Sequence, residues 1–228
     1  MARSARHEGQ VLVVGLGRFG RAMAETLEEL GHEVLAVDRD PRIVQELAGL
    51  LTHVVEADST SLEVLKQLGA ADFERAVVAI GSDIEASILT ASALVDLGIS
   101  NIWAKAITSA HGKILQRVGT HHVVFPEHDM GKRVAHLVTS RMLDYMGLED
   151  DFAMVKTFTP GELVGRTLGE ADIRRRHHIT VVLIKPVGGS YTFATPDTRV
   201  GKGDILVVAG QPRYAEGFAE LASPMPAG

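Results

Sequence analysis

The sequence predicts an α/β protein: a Rossmann-like, doubly wound parallel sheet, then a crossover helix, then a small α+β lobe. Three observations carry that expectation. Short β-branched runs alternate with helical stretches through the first half of the chain, a glycine-rich turn follows the first run, and the alternation stops after HHVVFPEHDMG. Strands that alternate with helices must be joined by crossovers, which makes the sheet mainly parallel and puts helices on both faces.

QVLVVG is the first strand. RAMAETLEELG follows as a helix, with Ala22, Leu27 and Leu30 at helical spacing among polar residues and Gly31 as its stop. HEVLAVD is the second strand, and PRIVQELAGL a helix opened by Pro41, where a missing N–H costs least. THVVEAD, ERAVVAI and NIWAKA give three more strands, and SLEVLKQLG and EASILTASALVDLG are helical. KRVAHLVTSRMLDYMGL reads as one long amphipathic helix, with Val134, Leu137, Val138, Met142, Leu143 and Met146 apolar and Lys132, Arg133, Arg141 and Asp144 polar. Two roles fit it: packing on the chain's own core, or crossing to another subunit. DFAMVKTFT, ITVVLIKP and GDILVVAG are then strand-like, separated by Gly/Pro turns. The expected division is residues 9–129 for the first domain, 130–149 for the crossover helix and hinge, and 150–222 for the second lobe. The tail ASPMPAG is expected to be disordered.

Composition narrows the function. With 228 residues and 46% hydrophobic content there is enough chain for a sizeable core. The formal charge of −6 argues against nucleic acid as a partner, since a phosphate backbone demands clustered positive charge. With no Cys, disulfides, thiolate nucleophiles and Cys-ligated zinc are excluded, which fits a reducing cytoplasm. MARSARHEGQ has no signal-like apolar core, and no apolar run approaches the ~20 residues of a membrane helix, so a soluble chain is expected.

Gly15, Gly17 and Gly20 form G-x-G-x-x-G between a strand and a helix, with Asp38 ending the next strand 18 residues on. In that context the pattern is a nucleotide fingerprint: Gly15 for the tight turn, Gly17 for close approach of a phosphate, Gly20 for helix–strand packing. Helix N-terminal amides meet the anion, and Asp38 accepts from ribose hydroxyls. Arg18, beside Phe19, leans toward a triphosphate, because backbone amides already serve a dinucleotide's pyrophosphate and a third phosphate invites a bidentate guanidinium. A surface arginine, or one paired with a helix acid, fits the same position. The remaining candidates lie at strand C-termini, where doubly wound sheets bind ligands: Arg39; Asp58, Ser59 and Thr60; Ile80, Gly81, Ser82 and Asp83; and Lys105. Asp58 and Asp83 fit helix N-caps as well as ligand contacts. Lys105, ending an apolar strand, calls for a phosphate or an acid nearby.

GLGRFG, HEVLAVD, VVAIGSDIEASILT, NIWAKA and above all FPEHDMG resemble the RCK (KTN) regulatory subunits of Ktr/Trk potassium uptake systems, most like the KtrA type. The resemblance covers residues 10 to 148 closely and the TrkA-C-like second lobe more loosely. It implies an ATP/ADP-binding cytoplasmic protein peripheral to the membrane, a homodimer assembling into an eight-subunit ring under a KtrB/TrkH-type channel subunit. It also implies that Arg18 reads the γ-phosphate across a subunit boundary, that Glu127 serves a divalent-cation site (Mg²⁺ or Ca²⁺), and that the long helix is the dimer crossover. A cyclic di-AMP site in the second lobe would draw on Ile173, Arg174 and His178. The run Arg174–Arg175–Arg176–His177–His178 departs from that pattern and equally fits a solvated helix end leading into a strand.

Catalytic signals are few. Adjacent histidines, 121/122 and 177/178, would face opposite sides of a strand and form no joint site, and no Ser-His-Asp spacing, H-E-x-x-H or Walker motif occurs. Two classes therefore fit the sequence: a ligand-gated channel regulator, which is not an enzyme, and an NAD-dependent dehydrogenase with a reduced substrate lobe. An NAD(H)-sensing subunit of the TrkA type is a third variant of the first.

Overall fold

In the computed structural model, which describes residues 9–148 and 151–222, the chain divides after Glu127 into two units. The first alternates β1 (Gln10–Val14), α1 (Arg18–Glu29), β2 (Glu33–Asp38), α2 (Pro41–Leu47), β3 (His53–Glu56), α3 (Leu62–Gln67), β4 (Arg75–Val78), α4 (Ile84–Asp96), β5 (Asn101–Lys105), α5 (Ser109–Val118) and β6 (His122–Val124). Its six strands are all parallel, in the order β3-β2-β1-β4-β5-β6. The winding reverses between β1 and β4, the point at which such sheets open a crevice for ligands. Val11 to Val14 are all buried although they alternate in direction, because each face has its own helical cover. Leu12 and Val14 join Leu94, Ile102 and Leu115 in one layer, while Val11 and Val13 join Ala24 and Leu47 in the other.

All five strands predicted for this region are present; α5 and β6 are additions. Helix α1 starts at Arg18, earlier than its apolar spacing suggests, and its buried stripe is not the predicted one, since Ala22 is exposed. Ala24 is buried with Phe19, Met23 and Leu27 packed beside it, whereas Leu30 is the C-cap and 70% exposed.

The long helix predicted over 132–148 does not form. Helix α6 (Pro126–Val138) ends at Val138, and the rest becomes strand β7 (Met142–Leu148). The hydroxyls of Thr139 and Ser140 donate back to the carbonyls of Ala135 and His136 at 3.0 and 2.6 Å, which takes up acceptors the next turn would need. Arg133 and Asp144, expected on one helix face, instead form a bidentate pair between helix and strand, Nε donating to Oδ1 at 2.9 Å and Nη2 to Oδ2 at 2.8 Å.

The second unit, from His128, continues with β8 (Phe152–Phe158), α7 (Leu168–Ala171), α8 (Ile173–His177), β9 (Ile179–Lys185), β10 (Thr192–Phe193), β11 (Ile205–Gly210) and α9 (Pro212–Glu220). Its antiparallel sheet runs β10-β9-β11-β8-β7, and Val155, Leu206 and Val208 pack on Phe218 and Ala219 of α9. Apart from Ala222, the predicted disordered tail lies outside the described residues. Among the described residues, no helix is long and apolar enough to cross a membrane.

Candidate functional site

β1 hands the chain to α1 across three residues, and each glycine of the turn has a separate duty. Gly15 takes φ +91°, and a Cβ there would lie 2.9 Å from Ile80 Cγ1. Its amide donates to the Val37 carbonyl at 2.8 Å, which ties the turn to β2. A Cβ on Gly20 would stand 1.8 Å from the Gly15 carbonyl oxygen, so α1 rests directly on the turn. Gly17 is the N-cap of α1 and faces open space, with no side-chain cap and no acid in the first helical turn. The first amides of α1 are thereby offered to an anion approaching from outside.

Asp38 frames the other side. One oxygen accepts the Leu16 amide at 2.6 Å and the other the Asp40 amide at 2.9 Å, so the carboxylate braces the loop as well as facing the edge. Arg39 pairs with Asp83 at 3.1 Å. Asp83 caps α4 by accepting from the Ala86 amide at 3.0 Å, and that bond, opposed by burial and helped by Arg39, holds its carboxyl below the usual range. Asp58 is not a cap. It closes a turn onto the Thr60 hydroxyl and amide, which lower its pKa, while Ser61 caps α3. Ser59 is buried and spends its hydroxyl on Thr90 at 2.8 Å. Ser82 is exposed on the same edge.

Lys105 has the partner its burial demands. Its ammonium bonds Glu127 Oε1 at 2.5 Å and sits 5.6 Å from the Phe19 ring centre, beside the open Cα of Gly81. The Glu127 side chain is 66% exposed, and its carboxyl is held below the ordinary range by Lys105 first, then by its own backbone amide, with Arg18 adding attraction. Arg18, first residue of α1, is exposed and has no hydrogen bond or ion pair among the described residues. The link between Lys105 and Glu127, 22 residues apart, has no local sequence signal.

In the second unit the three residues named for a further ligand separate. Ile173 is buried; Arg174 donates to the Thr180 hydroxyl at 3.2 Å; His178 lies tilted at 47° to the Tyr214 ring, centres 4.9 Å apart. Ile173 and Arg174 line a cavity of about 250 Å³ with Thr180 and Pro196, while His178 lies in a neighbouring one. His177 and His178 close α8 instead of lying on a strand, and they still part: His177 meets Phe218 edge-on at 5.3 Å. His121 accepts the Ile102 amide at 3.0 Å and His122 stacks on Trp103 at 4.2 Å, both structural engagements. Among the described residues no three His, Asp or Glu side chains gather as a metal site would require.

A parallel sheet wound in this order, with three working glycines and an acid at the neighbouring strand end, defines a Rossmann-type domain, followed in the chain by a small antiparallel lobe. The comparisons give that class its family. The TrkA-N domain model matches residues 11–126 and the TrkA-C domain model residues 157–223. The Ktr system potassium uptake protein C of Bacillus subtilis is 41% identical over 201 residues, covering 87% of this chain and 90% of that protein. The Ktr system potassium uptake protein A of the same organism is 35% identical over 210 residues, covering 92% and 95%. A solved structure of the GsuK channel bound to NAD superposes with a TM-score of 0.66 at 19% identity, covering 100% of this chain and 41% of that one, a likeness of fold. The chain belongs to the Ktr potassium uptake protein A/C family and is a regulatory subunit of a potassium uptake system.

Proposed function

We propose that the chain is a cytoplasmic, non-enzymatic gating subunit that binds ATP and ADP at the glycine loop and regulates a membrane potassium channel subunit of the KtrB/TrkH type. The observation that carries the reading is the isolated Arg18 guanidinium. It stands at the mouth of the α1 amides with no acid of its own, while Lys105 and Arg39, the other cations on that edge, are already neutralised. An unpaired guanidinium beyond a pyrophosphate-sized cradle suits a third phosphate. Asp38 keeps lone pairs for ribose hydroxyls beyond the two amides it braces.

Glu127 is the carboxylate for a divalent ion. Lys105 occupies one of its oxygens and the exposed other is free for a hard cation, which would take its remaining donors from phosphates, water or a second copy. Helix α6 supports homodimerisation and, through it, an octameric ring: it contains no buried residue, and Met130, Val134 and Val138 are exposed on it. The cavity at Ile173 and Arg174, largely apolar but lined also by Asp172, Thr180 and Thr195, would take cyclic di-AMP with Arg174 toward a phosphate.

Titration calorimetry with both nucleotides tests the reading. Arg18→Ala should lose ~1.5–3 kcal/mol of ATP binding, tenfold or more in affinity, and much less with ADP. Equal losses make Arg18 a general clamp. The NAD carried by the GsuK structure favours a second reading, an NAD(H)-sensing subunit, which tighter binding of NADH than of ATP or ADP would establish.

A further inference from the structure

Residues 173–196 contain no Asp or Glu, although the chain as a whole carries 29 acids to 23 Lys and Arg. The stretch includes the hairpin, residues 186–193, that turns β9 into β10. Lys185, at the end of β9, and Lys156, on β8, both bring their ammonium groups over the Tyr191 ring, 5.6 and 5.9 Å from its centre. At the tip Val187 is 73% exposed, and Phe193 is 81% exposed, more than any other large apolar side chain among the described residues.

The register puts these groups on one side of the second sheet. Phe193 pairs with Leu183, Leu183 with Val207 and Val207 with Lys156, and directly paired residues share a face. The opposite face is the covered one, where Val155, Leu206 and Val208 are buried in the core with Phe218 of α9. Asp144 lies across from Lys156 on β7, but Arg133 already holds both of its oxygens. At the tip, Asp204 is 6% exposed and accepts from the Gly201 and Val187 amides at 2.7 and 3.1 Å, which fixes the hairpin against a turn that exposes Lys202. The backbone is thereby held while Val187, Tyr191 and Phe193 stay exposed beside lysines.

We propose that this hairpin is a docking surface for an anionic lipid membrane. Aromatic and aliphatic side chains enter the boundary between headgroups and acyl chains, and lysines beside them meet the lipid phosphates and carboxylates. The two lysines over Tyr191 set their ammonium groups at that level. A second copy suits the patch poorly, because a two-fold contact lays the patch on its own image and brings lysine to lysine. β10, with two residues, is too short an edge for strand addition by a peptide. The net charge of −6 repels an anionic surface, so an acid-free region decides which side of the protein approaches it.

The test is co-sedimentation of the full chain with phosphatidylcholine vesicles, plain or containing about one-third phosphatidylserine. No nucleotide and no channel subunit is present, so failure here is distinct from failure of the gating reading. Wild type should bind the phosphatidylserine vesicles, bind the plain ones roughly tenfold more weakly, and dissociate as salt is raised. F193S and K185E should each weaken binding about tenfold. Phe193 is exposed, so F193S should melt as wild type does. Because the chain has no Cys, S190C carries a polarity-sensitive dye on the hairpin alone; its emission should shift to the blue on phosphatidylserine vesicles, and the same dye on E63C, in the first unit, should not. Equal binding to both vesicles, equal binding by F193S and wild type, a dye shift at E63C and not at S190C, or self-association sensitive to F193S in place of vesicle binding would each overturn the proposal.

Discussion

At the edge of the first sheet Lys105 lies 2.5 Å from Glu127 and Arg39 3.1 Å from Asp83, whereas in the second unit Arg174 and Arg213 share a cavity that no carboxylate lines among the described residues. The contrast follows from what each unit has to offer an anion. A glycine turn that exposes the first amides of a 12-residue helix already presents positive potential from the backbone, so side-chain cations beside it can be neutralised and only Arg18 stays bare. Among the described residues the second unit has no glycine turn of this kind, and its cavity sets the uncapped start of α9 beside guanidiniums that have no carboxylate partner. A site built on backbone is sensitive to shape; a site built on side chains is sensitive to charge.

The largest effect expected from that contrast is steric and falls on the first unit. Gly20→Val puts atoms where the Gly15 carbonyl oxygen stands at 1.8 Å from the ideal Cβ, and should destabilise the unit by more than about 3 kcal/mol. Gly17→Val meets nothing within 4 Å, so denaturation should move by less than about 1 kcal/mol while nucleotide binding is lost. Urea melts and nucleotide titrations on the pair separate the two roles. A Gly17→Val protein that binds ATP normally would break the assignment of this turn as a phosphate cradle.

A smaller, charge-based effect is expected at Glu127. Glu127→Gln releases Lys105 from its acid and replaces a carboxylate oxygen by a far poorer ligand for a hard cation. Stabilisation of the nucleotide-bound protein by Mg²⁺ or Ca²⁺ should vanish, while nucleotide affinity without divalent ions should hold or rise. Thermal melts with and without each ion decide it: a cation shift in the variant equal to wild type makes Glu127 a partner of Lys105 and nothing more.

The two units also differ in how far their sequence announces them. The glycine turn, Asp38 and five parallel strands were legible because a parallel strand is buried on both faces and reads as an unbroken apolar run closed by turn residues. The antiparallel unit is written less plainly. Its strand β7 reads as helix in the sequence because a register shift between Met142 and Asp144 spoils the period-2 alternation, leaving apolar residues at spacings that also suit a helix. Strand β6 has three residues and β10 two, too few for any period to register. At the site, what sequence could not show were pairings across the fold: Lys105 calls for an acid, but that the acid is Glu127 depends on β5 and the start of α6 ending side by side.

The smallest expected effect concerns charge inside the first unit, where no compensating acid is at hand. His111, on α5, is 2% exposed, and its Nδ1 accepts weakly from the Ile107 amide at 3.5 Å while Nε2 has no partner among the described residues. Burial lowers its pKa from the ordinary imidazole value of 6.5, so the folded protein resists the proton that the unfolded chain takes up readily. The sign follows: below 6.5 the unfolded state binds more protons, and stability is complete above that pH and falls as pH descends toward the folded-state pKa. His111→Gln, which cannot titrate, should therefore melt with a shallower dependence on pH between about 7 and 5 than wild type, whatever its absolute stability. Parallel melting curves for the two proteins across that range would place the titrating group elsewhere, and buried His111 would no longer set the first core apart from the cavity of the second unit.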